Sequence, residues 1–480
     1  MEKKKNILIL GAGPAGLSAG WKLAEKGFAV KVLEKEPYVG GQCATIERDK
    51  YRFDLGGHRF ITTDKKLLRE INGLMEGELI PTSRKSQIRL FNKYFDYPLE
   101  IKSLAKGVNP FFSAWCLLDY AYSVTRKRLF NPVESSFEDW VVNRFGRPLY
   151  RVFFGMYTRK LWGTSPKLIS SDWAAQRISL INLTDVILRL LGKKSNAPKT
   201  YALNFLYPKL GIGRIVERLC EEIRCNRGEL LVDSEVIKIT HEEGNIKSIL
   251  FQGPEGVKEI SADFYVNTIP LPEFIHKLSP AAGEKYLHAS RQIKFRSVRF
   301  MNIIFDQQRI SPNTWIYVPE PEYVFFRIQE TKNWSSYLVP DENRTALILE
   351  VACFEGDELW NKTDEELFQI CLSDLKKLGL IDDSAKAVRF FSSRLKNAYP
   401  IYGLGYQKEI ECCLELIKGM SNLISIGRQG LFRYNNMDHS VKMGMLAAEH
   451  IEHGNLEAKI FSIASEKEAF ESERDRQDRE

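Results

Sequence analysis

The sequence predicts an α/β protein: a parallel, doubly wound sheet built from discontinuous parts of the chain, a helical insertion, and a separate antiparallel sheet. Three observations carry this. The chain opens on strand, glycine-rich loop, helix and strand. From about Ile101 to Leu191 apolar residues recur at three- and four-residue spacing, as in Phe137, Trp140, Val141 and Phe145. Between Lys294 and Arg394 β-rich runs return at Val298 to Phe305, Glu322 to Ile328 and Ala346 to Ala352, followed by a helix from Thr363 to Leu378.

Asn6 to Leu10 is a continuous apolar run, as expected of a parallel strand covered on both faces. It feeds into Gly11-Ala12-Gly13-Pro14-Ala15-Gly16, a GxGxxG that opens a helical pattern with Leu17, Trp21, Leu23 and Ala24 inside. A second strand, Ala29 to Leu33, ends at Glu34. In this setting the glycines have separate tasks: a tight turn at Gly11, close approach of a pyrophosphate at Gly13, and helix–strand packing at Gly16. The phosphates sit at the positive end of the helix. Glu34, 23 residues after Gly11, is placed to accept both ribose hydroxyls and to repel a 2′-phosphate, which disfavours NADP. Glu34-Lys35 is followed by Gly40-Gly41-Gln42, and this second glycine pair resembles the extended ADP-binding signature of FAD proteins. The expected cofactor is FAD and the expected domain a Rossmann-type FAD-binding domain.

From here the chain resembles the flavin amine oxidase and protoporphyrinogen oxidase superfamily, and within it is most similar to the UDP-galactopyranose mutase group. Phe53 to Phe60 (FDLGGHRF), with Gly57 and His58, matches the segment beside the isoalloxazine ring. Gly211-Ile212-Gly213 resembles the entry to the second FAD-binding part, and Val236 stands where the family holds adenine by its backbone. Asp263 to Pro270 matches the return strand. Leu423 to Arg428 matches the last strand, and Asn436-Met437 the start of the last helix. The resemblance to the mutase group rests on four further matches: Phe145 to Gly163 with Trp162, Arg177, the Phe325 to Glu330 strand with Arg327, and Tyr399-Pro400 with Arg433-Tyr434.

The resemblance implies that Arg177 and Arg327 grip a diphosphate, with Tyr399, Tyr434 and Trp162 facing the substrate. An Arg offers a planar fork suited to phosphate oxygens, and a Tyr adds a neutral donor. The implied reaction is a redox-neutral ring isomerisation of a nucleotide-diphosphate sugar, in which N5 of reduced FAD attacks the anomeric carbon. Arg177, Arg327 and His58 are the implied catalytic residues; His58 either hydrogen-bonds flavin or sugar, or only closes a turn. The alternative is an oxidoreductase of the amine-oxidase or protoporphyrinogen-oxidase type, passing a hydride from a small or apolar substrate to flavin. Only Lys294 stands near the place of an oxygen-activating lysine. The segment Asn182 to Thr200 differs in length and character from the mutase group's mobile loop, and Ile310 to Glu322 is rich in aromatics and proline.

These readings divide the chain into an FAD-binding domain in three parts (1–85, 201–295 and 396–460), a helical domain at 86–200 and an antiparallel-sheet substrate domain at 296–395. Residues 461–480 form a charged tail, and Gly192 to Pro198 is a candidate gate. With 44% apolar and 27% charged residues, the composition excludes a disordered, collagen-like or disulfide-scaffold protein. The net charge of +7 over 480 residues is too mild to call for nucleic acid. Eight cysteines without a CxxC pair or a His cluster predict no metal site. Reduced thiols and the absence of a secretory leader point to the cytoplasm. No apolar run reaches the ~20 residues of a membrane span. The nearest, Pro110 to Val124, reads as a buried helix whose Phe111, Phe112, Trp115 and Tyr120 are core. A membrane-surface role, with Arg126, Lys127 and Arg128 following, is the alternative. A homo-oligomer is compatible with the sequence.

Overall fold

The computed structural model describes residues 5–97, 109–177, 204–454 and 456–463, without the side chains of Gln176, Arg177 and Asn204. The expected gate at Gly192 to Pro198, the segment Asn182 to Thr200 and the tail from Glu466 lie outside the described residues.

At the centre is a five-stranded parallel sheet in the order Leu423–Ser425, Phe264–Asn267, Asn6–Leu10, Ala29–Leu33 and Glu229–Leu231. Its strands come from three distant stretches, as expected of a discontinuous domain. Ile7, Leu8, Ile9 and Leu10 are all buried, which is why that strand reads as an unbroken apolar run. The helices Pro14–Glu25 and Met437–His453 pack closely against one another. Gly444 makes the approach possible: a Cβ there would lie 2.1 Å from Ser18 Oγ and 2.2 Å from the Ala15 carbonyl oxygen.

A seven-stranded sheet roofs this unit, in the order Ala387–Pro400, Phe295–Phe305, Thr345–Cys353, Arg327–Glu330, Trp315–Tyr317, Ser86–Leu90 and Lys93–Asp96. The helix Asp364–Lys377, entered through a Thr363 and Glu366 capping box, covers its outer face with Leu367, Phe368, Cys371 and Leu375. A four-stranded sheet of Glu235–Glu242, Asn245–Gly253, Gly256–Ile260 and Leu278–Ser279 stands beside the parallel sheet.

Three expectations are corrected. Residues 86–96, assigned above to the helical domain, are two strands of the roof: Ser86, Gln87 and Ile88 run parallel to Trp315, Ile316 and Tyr317. Their alternation of buried Ile88 and Leu90 with polar neighbours is strand periodicity. The run Glu322 to Ile328 yields a strand only from Arg327, because residues up to Phe326 turn from Trp315–Tyr317 into Arg327–Glu330. The helix Pro110–Phe130 is not buried: of its 21 residues only Cys116 and Ser123 are, while Phe111 and Trp115 face outward. It docks through Phe112, which meets the Phe91 ring edge-on at 5.9 Å, and through Asp119, which accepts a 2.7 Å hydrogen bond from Arg147 N.

Candidate active site

The strand Asn6–Leu10 delivers Gly11 at φ +102°, and a Cβ there would lie 2.4 Å from Thr268 Oγ1. A Cβ on Gly16 would lie 2.2 Å from the Gly11 carbonyl oxygen, so Gly16 stands behind the loop as a packing position. Gly13 differs from both, because a Cβ there would meet nothing within 4 Å. The space in front of it faces the N-terminus of the Pro14–Glu25 helix, which no side chain caps, so its first amides are left for an anion. Gly41 closes in from the second glycine pair, its Cβ position 3.6 Å from Gly13 Cα.

At the end of the Ala29–Leu33 strand the Glu34 carboxylate is held by Ala12 N at 2.8 Å and Glu36 N at 3.0 Å. Burial raises its pKa, and these two amides partly offset that. Lys35 and Val236 line the same space, and the Val236 carbonyl accepts from Lys277 Nζ at 2.5 Å.

A cavity of about 1000 Å³ runs from Glu34 past Gly13, Pro14, Ala15 and Gly41 to Gly57, His58 and Arg327. Its size is at the top of the range for small-molecule sites, about 300–1000 Å³. Gln42 and Arg428, from opposite ends of the chain, meet over it at 2.8 Å, and Arg428 also donates to the Asn435 carbonyl. Asn436 caps the Met437–His453 helix, its own N–H bonded to His439 Nδ1, and Asn436 and Met437 both line the cavity. The glycine spacing, the uncapped helix end, the buried Glu34 and this volume fit an FAD.

Beyond Gly57 the walls are aromatic. Tyr399 and Tyr434 lie parallel with ring centres 5.8 Å apart; Trp162 meets Tyr399 edge-on at 5.9 Å, and Arg428 sits 4.6 Å over the Tyr434 ring. Arg327 enters from the roof. Its Nε and Nη2 bind Glu350 at 2.5 and 2.6 Å, and Gln329 Nε2 adds a third bond to Glu350 at 2.6 Å. Glu350 is fully buried. Burial works against the Arg327 charge, but Glu350, with smaller contributions from Tyr399 and Tyr157, raises the guanidinium pKa overall. Gly57 packs under this cluster: a Cβ there would lie 3.2 Å from Gln329 Oε1 and in ordinary contact, 3.5 Å, with Arg327 Cζ.

Burial, then the charges of Arg428, Arg327 and Arg59, push His58 down to about 3. Its imidazole is therefore neutral at physiological pH, and among the described residues its buried Nδ1 has no hydrogen-bond partner. It can orient a ligand, but it is no reservoir of protons there.

Eighteen of the predicted site residues thus line one cavity. Gly16 stands behind it, and Arg177 ends the helix Ser171–Arg177 with its side chain outside what is described. Lys294 is exposed and does not line the cavity. Sequence reasoning missed Trp173, four residues before Arg177, whose ring meets Trp162 and Tyr434 at 4.8 Å each. It also missed Phe153, Phe154 and Tyr157, which sat inside the matched Phe145 to Gly163 segment. A π-helical turn over Tyr150–Gly155 precedes the helix Met156–Trp162 here, and such turns recur at functional sites. Arg59 and Arg84, 5.5 and 5.0 Å from the Trp315 ring centre, add cations to the same wall.

A parallel sheet with this loop chemistry, joined to a roofed aromatic chamber, defines an FAD-dependent enzyme. Residues 14–410 match the family described as flavin containing amine oxidoreductase, and the chain belongs to that family. It is similar to a probable UDP-galactopyranose mutase of Klebsiella pneumoniae, with 22% identity over 455 residues, 93% of this chain and 94% of that one. Among solved structures it matches a reduced UDP-galactopyranose mutase at a TM-score of 0.82 and 22% identity, covering 97% of this chain and 100% of that one. A putative protoporphyrinogen oxidase from Exiguobacterium sp. 255-15 matches at 0.71 and 19% identity, covering 94% and 100%. These two likenesses establish the shared fold.

Proposed function

We propose that the protein is a mutase-like flavoenzyme that isomerises the ring of a nucleotide-diphosphate sugar without net redox change. The observation that carries the reading is Arg327: a cavity-lining guanidinium neutralised along one edge by Glu350 through Nε and Nη2, beside Gly57 and the Tyr399 and Tyr434 pair. The name of the Klebsiella relative, which spans nearly the whole chain, supports the same chemistry.

In this reading Arg327 binds the diphosphate from the roof and Arg177 binds it from the helical side. Tyr399 and Tyr434 donate hydrogen bonds to the phosphates, and Trp162 packs on the sugar. Two cations facing one diphosphate stabilise it as a leaving group. His58 holds a hydroxyl or the cofactor as a neutral imidazole. Bound FAD, in its reduced form, supplies the covalent chemistry at the anomeric carbon. Gly11, Gly13, Glu34, Lys35, Gln42, Val236 and Arg428 serve the cofactor, and residues 1–85, 201–295 and 396–460 act as its binding unit. Eight thiols with no disulfide among them suit a reducing, cytoplasmic setting.

The oxidoreductase alternative has its support in the family description and the aromatic chamber, whose walls would also suit an apolar substrate. One assay separates the two. Dithionite-reduced enzyme is expected to convert a sugar nucleotide while oxidised enzyme does not, and no electron acceptor is consumed. Arg177→Ala and Arg327→Ala should each abolish most of this turnover with flavin retained. Turnover that consumes acceptor stoichiometrically would refute the mutase reading.

A further inference from the structure

The helix Pro110–Phe130 presents to solvent an apolar stripe that the cavity and its chemistry do not use. Phe111, Trp115, Leu118, Tyr122 and Leu129 follow one another at intervals of four, three, four and seven residues, which places them on one face. All five are exposed, Phe111 at 87% and Leu118 at 72%. Monomeric proteins rarely leave so continuous an apolar face open without a use for it.

The charges around the stripe are one-sided. Asp119, the only acid in the helix, is turned inward onto Arg147 N at 2.7 Å. Lys127 is paired with Glu134 at 2.9 Å. Arg126 and Arg128 are exposed at the C-terminal end of the helix, Arg126 donating to Asn143 Oδ1 at 3.4 Å. The outward face therefore carries Phe, Trp, Leu and Tyr with cations at one end and no carboxylate.

We infer that this helix docks on an anionic phospholipid surface, lying in the interfacial plane with the stripe inserted and Arg126 and Arg128 on the phosphates. Trp and Tyr favour the membrane–water boundary, where the ring is buried and the polar edge stays wet. Attachment by an amphipathic face plus cations needs no spanning helix, and among the described residues no helix is long and apolar enough to cross a membrane. A second copy in parallel would set arginine against arginine, and one in antiparallel would offer them no acid from this face, so lipid phosphate is the better complement.

The test is cosedimentation of the full-length, flavin-loaded protein with phosphatidylcholine vesicles, with and without phosphatidylglycerol. The wild type is expected to pellet with the anionic vesicles and to remain in solution with the neutral ones. Leu118→Asp with Tyr122→Asp should abolish pelleting. Arg126→Gln with Arg128→Gln should weaken it about thirtyfold, at about 1 kcal/mol per cation near the surface. Flavin absorbance checks the fold, and the exposed arginine pair decides alone where the aspartates cost bound flavin. The inference is overturned by a wild type that ignores anionic vesicles, by equal binding to neutral ones, or by an arginine pair that binds as the wild type does. A lipid-free dimer that the aspartates disperse would overturn it too, in favour of a second copy.

Discussion

Arg327 and Glu350 lend themselves to a double-mutant cycle, because Glu350 is fully buried, Arg327 is partly so, and their geometry is bidentate, at 2.5 and 2.6 Å. With charge centres about 4 Å apart and an effective dielectric of about 20, their attraction is about 4 kcal/mol. Removing one partner strands the other charge, and Glu350 has no solvent to turn to. Arg327→Met and Glu350→Gln should therefore each cost about 3–5 kcal/mol. The double variant leaves no charge to desolvate and should cost only about 2 kcal/mol, giving a coupling of about 4–8 kcal/mol. The measurement is guanidinium unfolding followed by intrinsic fluorescence, with bound-flavin absorbance recorded in parallel. Costs that add to within about 0.5 kcal/mol would show that the pair does not act as a unit, and the account of how Arg327 keeps its charge in the roof would fail.

Two further outcomes follow from the loop glycines and from Asp54. Gly13→Val should fold normally yet lose FAD, since the space before it is open to a side chain, whereas Gly16→Ala should destabilise the fold itself through a 2.2 Å clash with the Gly11 carbonyl; thermal melts and flavin content distinguish them, and a flavin-replete Gly13→Val would contradict the phosphate assignment. Asp54 is buried beneath donors from Thr45, Tyr207 and Ile212, and burial raises its pKa to about 6. In the unfolded chain it titrates near 3.9, so between pH ~4 and ~6 the native state holds the extra proton and stability falls as pH rises, by up to about 3 kcal/mol. The stability difference between wild type and Asp54→Asn should change across that window and level off above it; a difference that is flat with pH would show that Asp54 titrates normally.

The first βαβ unit was legible because its determinants are local. Gly11, Gly13, Gly16 and Glu34 act through backbone conformation and close approach within 24 consecutive residues, and the structure places them around one loop. The roof sheet was legible as β-rich runs, but its membership was not: Ser86–Leu90 joins Trp315–Tyr317 across 229 positions from Ser86 to Trp315, a pairing no local pattern announces. The aromatic wall shows the same divide. Tyr399, Tyr434 and Trp162 were found through motifs, while Trp173 drew no notice because only its contacts with Trp162 and Tyr434 give it meaning. The Pro110–Phe130 helix misled for a related reason: apolar content fixes that a helix has a face to bury, not which neighbour will cover it.

The sequence by itself therefore determined the glycine loop, the acid at its ribose end and the presence of a second glycine pair, all of which act over short range. Only the tertiary structure decided that Arg327 shares its fork with Glu350, that His58 is neutral, and that an aromatic helix stands open to solvent. Burial and neighbouring charge set those properties, and both come from residues far away in the chain.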